Sequence, residues 1–314
     1  MNGHVVVAAD GSPPSLDAVR FAAGDAVRRG GGLRIAHVTE TWVTGVPIAS
    51  APALGQTLAE QSEEVLAAAA AVARAEAPGL LVETVPLTGQ VKVELLREAR
   101  EADELVVGTR GLGGFMGLMV GSVSIGLAGH TACPLVVAGH PHDKVHGRIV
   151  VGHDAAPDSE AALEYAFEEA VRRGARLHAV YAWQVSAFLP TFQTYTPAAE
   201  EAFDWGKQAA RDQLTPWREK YPQVDVRDTA VCAHPVEALA EASSTADLLV
   251  VGSRGRGALG SAVLGSVVHG VLHHARGPVA VVPSRTGERR TEPAAAVVRS
   301  RTGERRADPA AGDG

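Results

Sequence analysis

The feature that most limits what this chain can become is a self-match at an offset of 144 residues. Gly108, Gly111, Gly121 and Ser122 spell G-x2-G-x9-G-[ST]. The offset carries them onto Gly252, Gly255, Gly265 and Ser266 in the same spacing. The match reaches beyond the glycines. Asp10, after the apolar run Val5-Val6-Val7, maps onto Asp154, after Ile149-Val150-Val151; Asp103 maps onto Asp247 and Leu33 onto Leu177. One such loop is a weak signal, but two with their upstream partners in register mean a tandem duplication. The chain is expected to fold as two copies of one unit, at 1–140 and 147–283, joined by the short His/Pro-rich stretch Gly139 to Gly147.

In the first copy Leu105-Val106-Val107 leads into the loop and an amphipathic segment, Ser122 to His130, leads out. That reads as strand, glycine loop and helix start. Glycines let backbone N–H groups approach an anion closely, and a helix N-terminus favours negative charge. Around this core the first half alternates strands (5–9, 33–39, 81–87, 105–107, 134–138) with helices (15–29, 57–76, 91–102, 122–130). Gly30-Gly31-Gly32 and Pro78-Gly79 punctuate the helix ends. The second half retraces the order from Arg148 to Pro283. Such alternation means a parallel sheet covered on both faces, with ligands beyond the carboxyl ends of its strands where strand order reverses. Asp10 and Gly108 fall at such ends, so two loops meet at a crevice suited to a nucleotide.

Composition narrows the rest. With 46% apolar and 21% charged residues the 314-residue chain reads as soluble and globular. No apolar run reaches the length of a membrane span. Met1-Asn2-Gly3-His4 enters a strand without a signal-peptide pattern, and the cytoplasm is expected. Cys133 and Cys232 are not equivalent in the repeat and suggest neither a disulfide framework nor a metal site. A net charge of −7 disfavours nucleic acid as the main ligand. Residues 284–314 contain Ser-Arg-Thr-Gly-Glu-Arg-Arg twice and few large apolar side chains, and disorder is expected there.

From Val5 to Pro283 these residues resemble the universal stress protein family in its tandem, ATP-binding form. The doubled motif, the aspartate after strand one, Ala132-Cys133-Pro134 and Arg276-Gly277-Pro278 carry the resemblance. It implies an α/β fold: two tandem Rossmann-like α/β/α domains, each a five-stranded parallel sheet ordered 3-2-1-4-5. It also implies dimer contacts through the last strand; the brevity of the linker separately favours packing of the two domains together, and a homodimer is expected as a further association. ATP is the implied ligand, with Mg²⁺ accompanying the phosphates; metal ligands within the chain are not assignable. By the same resemblance Asp10 and Asp154 would bond the adenine or ribose end, and backbone groups at Val38 and Ala182 would contact adenine. Gly108, Thr109, Arg110 and Gly111, like Gly252, Ser253, Arg254 and Gly255, would wrap ribose and phosphates, with Arg256 and the loop arginines screening charge. Gly121, Ser122 and Val123, like Gly265, Ser266 and Val267, would hold phosphate. Ser124 would add a hydroxyl that Val268 lacks. The family has glycine two residues before the aspartate and just after it. Gly152 and Gly11 keep one each, whereas Ala8 and Ala155 depart. Ala8 is expected to crowd the nucleotide and weaken the first site.

Plainer roles stand beside these. Asp10 and Asp154 suit helix N-caps, the glycines suit close strand–helix packing, and Arg110 and Arg254 suit solvent. His269, His273 and His274 read as surface or interface residues and His37 as a packed or capping one. Trp183, Trp205 and Trp217 read as core or domain-interface residues. No nucleophile–base pair recurs in both halves, G-x-x-x-x-G-K-[ST] is absent, and no lysine is aimed at a γ-phosphate. Phosphoryl transfer needs positioned charge at the transition state. The expectation is a regulatory ATP-binding module of stress response or growth control, without catalytic residues and with at most slow hydrolysis. A slow ATPase or adenylate-transferring enzyme of the same fold, and an interaction scaffold without nucleotide, stay open.

Overall fold

Runs of valine and leucine with no polar alternation build the centre of the molecule, because strands buried on both faces need apolar side chains on both. The computed structural model describes residues 4–40, 42–43, 46–47, 52–111, 120–138, 145–184, 197–255 and 264–284. In the first domain the elements are β1 (His4–Ala8), α1 (Pro13–Arg29), β2 (Gly32–Thr39), a small hairpin of β3 (Trp42–Val43) and β4 (Val46–Pro47), α2 (Pro52–Glu76), β5 (Val82–Thr88), α3 (Val91–Glu98), β6 (Glu104–Gly108), α4 (Ser122–Leu127) and β7 (Leu135–Ala138). The second domain continues with β8 (Arg148–His153), α5 (Glu160–Arg173), β9 (Arg176–Trp183), α6 (Pro197–Lys220), β10 (Val226–Cys232), α7 (Pro235–Ser243), β11 (Leu248–Gly252), α8 (Ser266–His274) and β12 (Val279–Val282). Arg256, the loop stretches 112–119 and 256–263, most of the linker and the tail from 285 lie outside the described residues.

The strands order as β5-β2-β1-β6-β7 and β10-β9-β8-β11-β12, parallel within each domain. Both are the 3-2-1-4-5 order of a doubly wound sheet. The outermost pair, β7 and β12, runs antiparallel with Val137 opposite Val279 and Leu135 opposite Val281, which joins the halves into one ten-stranded sheet. The edge that resemblance assigns to association is therefore consumed within the chain. Full burial of side chains such as Leu33, Ile35, Leu163 and Leu177 on one face, and Leu105, Leu135 and Leu249 on the other, contributes about 1.5–3 kcal/mol each.

Element ends differ from the sequence expectation for local reasons. Helix α2 starts at Pro52 rather than Thr57, since a first-turn proline lacks only an N–H that would find no acceptor there. Helix α4 stops at Leu127, short of His130: Ala128 leaves the helical region and Gly129 turns to φ +81°. Trp217 stacks on Phe167 and Tyr221, and Trp183 tilts against Phe203. Trp205, expected inside, is instead 71% exposed.

The faces of α1 and α5 meet over a buried ionic cluster that the sequence reading did not find. Arg173 Nη2 donates to Asp25 Oδ1 at 2.5 Å, while Arg29 Nη2 donates to Glu169 Oε1 at 2.8 Å. Each helix thus sends its last-turn arginine to the other's carboxylate, and the two exchanges are related by the 144-residue offset. Glu104, wholly buried on β6, accepts from Arg29 and from Tyr165 Oη at 2.6 Å. It has no counterpart in the second domain, where Leu248 stands.

Candidate functional site

Each β1-type strand delivers an aspartate to the carboxyl edge of its sheet, and a tight turn fixes it there. In the first domain Asp10 Oδ1 accepts from the Ser12 N–H at 3.0 Å and the Ser12 hydroxyl at 2.6 Å. In the second, Asp154 Oδ1 accepts from the Ala156 N–H at 3.1 Å and the Ser159 hydroxyl at 2.6 Å. These bonds hold the carboxylate by its own turn. It is not the N-cap of the next helix; Ser12 caps α1. The second oxygen faces the glycine loop. A β-carbon on Gly255 would lie 3.3 Å from Asp154 Oδ2, and one on Gly111 would collide with Asp10 Oδ2. Aspartate and loop therefore stand on the same side of the sheet in both domains.

The far end of the loop folds back onto the strand end. Gly121 N–H donates to Thr109 O at 2.6 Å, and Gly265 N–H to Ser253 O at 3.3 Å. In α8 the His269 N–H bonds Gly265 O at 3.0 Å. The N–H groups of Ser266, Val267 and Val268, one turn earlier, have no acceptor inside the helix by its geometry. They border a cavity of about 840 Å³.

That cavity gathers the second-domain residues singled out from sequence: Gly152, Asp154, Ala182, Gly252, Arg254 and Gly255, together with Gly265, Ser266 and Val267. Ser253 is not among them. It leaves β11 bonded through its N–H to Val282 O, is buried, and lines the cleft between the domains instead. Arg254 borders both spaces. In the first domain Asp10, Gly108, Thr109, Arg110, Gly111, Gly121, Ser122 and Val123 occupy the equivalent strand end, loop and helix start, with Val38 ending β2 beside them. Ser124 is buried, and its hydroxyl donates to Gly108 O at 2.9 Å, tying α4 to the end of β6. Its proton is engaged with the scaffold rather than presented to a ligand.

Two departures have structural meanings that differ from the sequence reading. A β-carbon on Gly152 would lie 2.8 Å from Leu239 Cδ1, so the glycine makes room for that side chain. Ala8 is half-buried and packs against the core cluster that contains Leu95, the equivalent of Leu239. The second departure is Ala155, which adopts φ +58° where Gly11 has φ +83°.

Sequence reasoning missed several wall residues: His153, Ser159, Val180, Pro235, Leu239, Leu264 and His269. The offset would have found some of them, since Ser15 and Leu95 are the first-domain equivalents of Ser159 and Leu239. Burial holds His153 below the usual histidine range despite the Gln213 Oε1 bond at 3.1 Å. The hydrogen bonds of the wall tie Ser159 to Asp154 and His153 to Gln213, which is not the pairing of a nucleophile with its base. Among the described residues, the group of three metal-ligating side chains is Asp25, Glu104 and Glu169 at the domain junction, away from this cavity. No helix of the described residues is long and apolar enough to cross a membrane. The arrangement offers glycine-lined space, helix-start N–H groups and one carboxylate at the opposite rim: a cradle for an anion-tailed ligand.

The universal stress protein family matches residues 1–139 and again 146–283. A universal stress protein of Mycobacterium tuberculosis is 35% identical over 293 residues, covering 88% of this chain and 96% of that protein. One from Mycolicibacterium smegmatis is 32% identical over 288 residues, covering 90% and 97%. Among solved structures, a universal stress protein from Archaeoglobus fulgidus superposes with a TM-score of 0.67 at 21% identity, covering 90% of this chain and 97% of that one, which speaks to the fold.

Proposed function

Because the chain belongs to the universal stress protein family, we propose that it is a regulatory module that binds ATP, with Mg²⁺ accompanying the phosphates, in stress response or growth control. The observation that carries this reading is the second-domain cavity, whose wall is assembled from the repeated loop and the aspartate facing it. Phosphates would lie against the N–H groups of Ser266 and Val267, favoured there by the helix start. The base and ribose would lie toward Asp154 and the backbone of Ala182. Among the described residues, Asp154 is the acidic side chain that lines this wall, and Mg²⁺ characteristically takes one or two carboxylates while phosphates and water complete its shell. The ion would therefore arrive as part of the nucleotide complex. Binding without rapid turnover fits a wall whose buried histidine, His153, is paired with the Gln213 amide. Occupancy would then act by favouring one conformation or partner over another.

Gly265 is the position to test. Among the described residues beyond its chain neighbours, a β-carbon there comes no nearer than 3.5 Å, and φ is −59°, so this part of the scaffold accepts a side chain. Gly265→Val should fold, yet fill the phosphate end of the cradle. We expect nucleotide released from denatured pure protein to fall and ATP affinity at that site to drop at least tenfold, about 1.4 kcal/mol. Unchanged nucleotide content and affinity would remove the reading.

A further inference from the structure

The phosphate end of the second site carries an imidazole where the first has a hydrocarbon. His269 lines the cavity beside Gly265, Ser266 and Val267. It stands one turn into α8, and helical side chains lean back toward the N-terminus, which lays its ring over the turn that presents the N–H groups. Its equivalent at the 144-residue offset is Ile125. We propose that His269 is a phosphate-recognition residue that makes ATP binding at the second site proton-dependent, a property absent from the first. The inference rests on the nucleotide reading of the cradle and adds to it a difference between the two sites.

Carboxylates and cations from several elements share walls with His269. Beyond it the cavity wall passes into a cleft of about 1040 Å³ along α7 and α8. From α7 this cleft presents Glu237 and Glu241, with His234 at the helix start; Arg276 follows α8. Asp154 and Arg254 belong to the same wall as His269 on the cavity side. On its own helix His273 lies with its ring centroid 4.8 Å away, and His274 follows. Burial, then the neighbouring His269 and His274, hold His273 below the usual histidine range. A neutral imidazole offers phosphate one weak donor. A protonated one offers a charge-assisted N–H, and histidine is the side chain that makes this change near neutral pH. Proton uptake on binding means that affinity rises as pH falls.

The test uses the full chain with the first site silenced by Gly121→Val, alone and combined with His269→Ile. His269 is exposed, and Ile stands at the equivalent position of the first domain, so far-UV circular dichroism should show an unaltered fold. ATP and adenosine are titrated calorimetrically from pH 6 to pH 8. With His269 present, ATP should bind about fivefold more tightly at pH 6 than at pH 8, less than the tenfold that one full unit of pKa coupling gives. With Ile the profile should lose that difference, and adenosine should bind alike in both proteins. Protonation of ATP itself is common to the two and cancels in the comparison. Coincident ATP profiles for the two proteins would overturn the role of His269 while leaving the cradle intact. Absence of ATP binding at the second site, with Gly265→Val changing nothing, would remove the cradle and the inference together.

Discussion

The two copies of the aspartate turn differ by single residues, and the differences have a direction. Gly11 and Ala155 hold the same left-handed position, but Ala155 does so with a β-carbon at φ +58°. For an L-residue that conformation costs about 1–2 kcal/mol. The next position differs too: Ser12 caps α1, whereas Ala156 has no side chain to cap with. The chain there takes one tighter 3-10 turn, Pro157–Ser159, before α5 begins. Ser159 then gives Asp154 the hydroxyl bond that Ser12 gives Asp10. Ala155→Gly should therefore raise stability by about 1 kcal/mol despite the extra freedom glycine gives the unfolded chain. Gly11→Ala should lower it by at least as much, since its β-carbon would also sit 3.2 Å from Val65. Denaturant midpoints of the two variants should move in opposite directions; a shift of the same sign in both would mean that backbone strain does not distinguish the turns.

At the level of elements, the loop glycines divide by what stands behind them. A β-carbon on Gly108 would lie 2.8 Å from Pro14 O and 3.1 Å from Ser15 N, both backbone atoms of the first turn of α1. On Gly252 the nearest atom would be Arg254 O at 3.4 Å, an ordinary contact. Gly108→Ala must displace a helix and should cost about 1–3 kcal/mol, as overpacking does. Gly252→Ala should stay within about 0.5 kcal/mol. Thermal unfolding of the pair checks this, and equal losses would refute the packing account. The same contrast shows how far the sequence could be read. The alternation of strands with helices and the pairing of Asp10 with one loop and Asp154 with the other were legible, because periodicity, glycine spacing and the duplication each report local geometry; strand order came only with the family resemblance. The side to which Ser253 turns was not, since it lies just past the end of β11 where alternation no longer governs direction. Asp25, Arg29, Glu169 and Arg173 were passed over because charges on an amphipathic helix ordinarily face water. Their exact recurrence at the repeat offset was the available signal, and only the packing of α1 on α5 gives it meaning.

The whole molecule turns on that packing, since the β7–β12 pairing and the ionic cluster are what make two domains one body. Glu104 is the member that breaks the symmetry. Its Oε2 accepts from Arg29 and Tyr165, while Oε1 has no donor and Asp25 is its carboxylate neighbour. Burial, reinforced by the Asp25 charge, pushes the Glu104 carboxyl well above the usual range. Burial also acts to raise Asp25, but Arg173, the hydrogen bond from Glu104, Arg29 and Arg28 outweigh it and hold that group at about 2. The consistent state is a protonated Glu104 donating through Oε1 to an ionised Asp25. The two groups then have opposite linkage. Asp25 contributes stability that is present above its unfolded pKa, near 3.9, and lost as pH falls toward about 2. Glu104 binds a proton in the folded state that the unfolded chain has released above about 4.3, so its contribution declines as pH rises. Glutamine reproduces the protonated acid atom for atom: its carbonyl accepts from Arg29 and Tyr165, and its amide donates to Asp25. Glu104→Gln should match the parent near pH 4.5 and exceed it increasingly above, by up to about 1.4 kcal/mol per pH unit until the folded-state carboxyl titrates. Glu104→Leu, copying Leu248, should be less stable than Glu104→Gln at every pH, because it strips a buried acceptor from Arg29 and a donor from Asp25. Urea midpoints of the three proteins between pH 5 and 9 decide the matter: parallel curves for the parent and Glu104→Gln would show that Glu104 is ionised in the fold, and the interface would then have to carry a third buried negative charge.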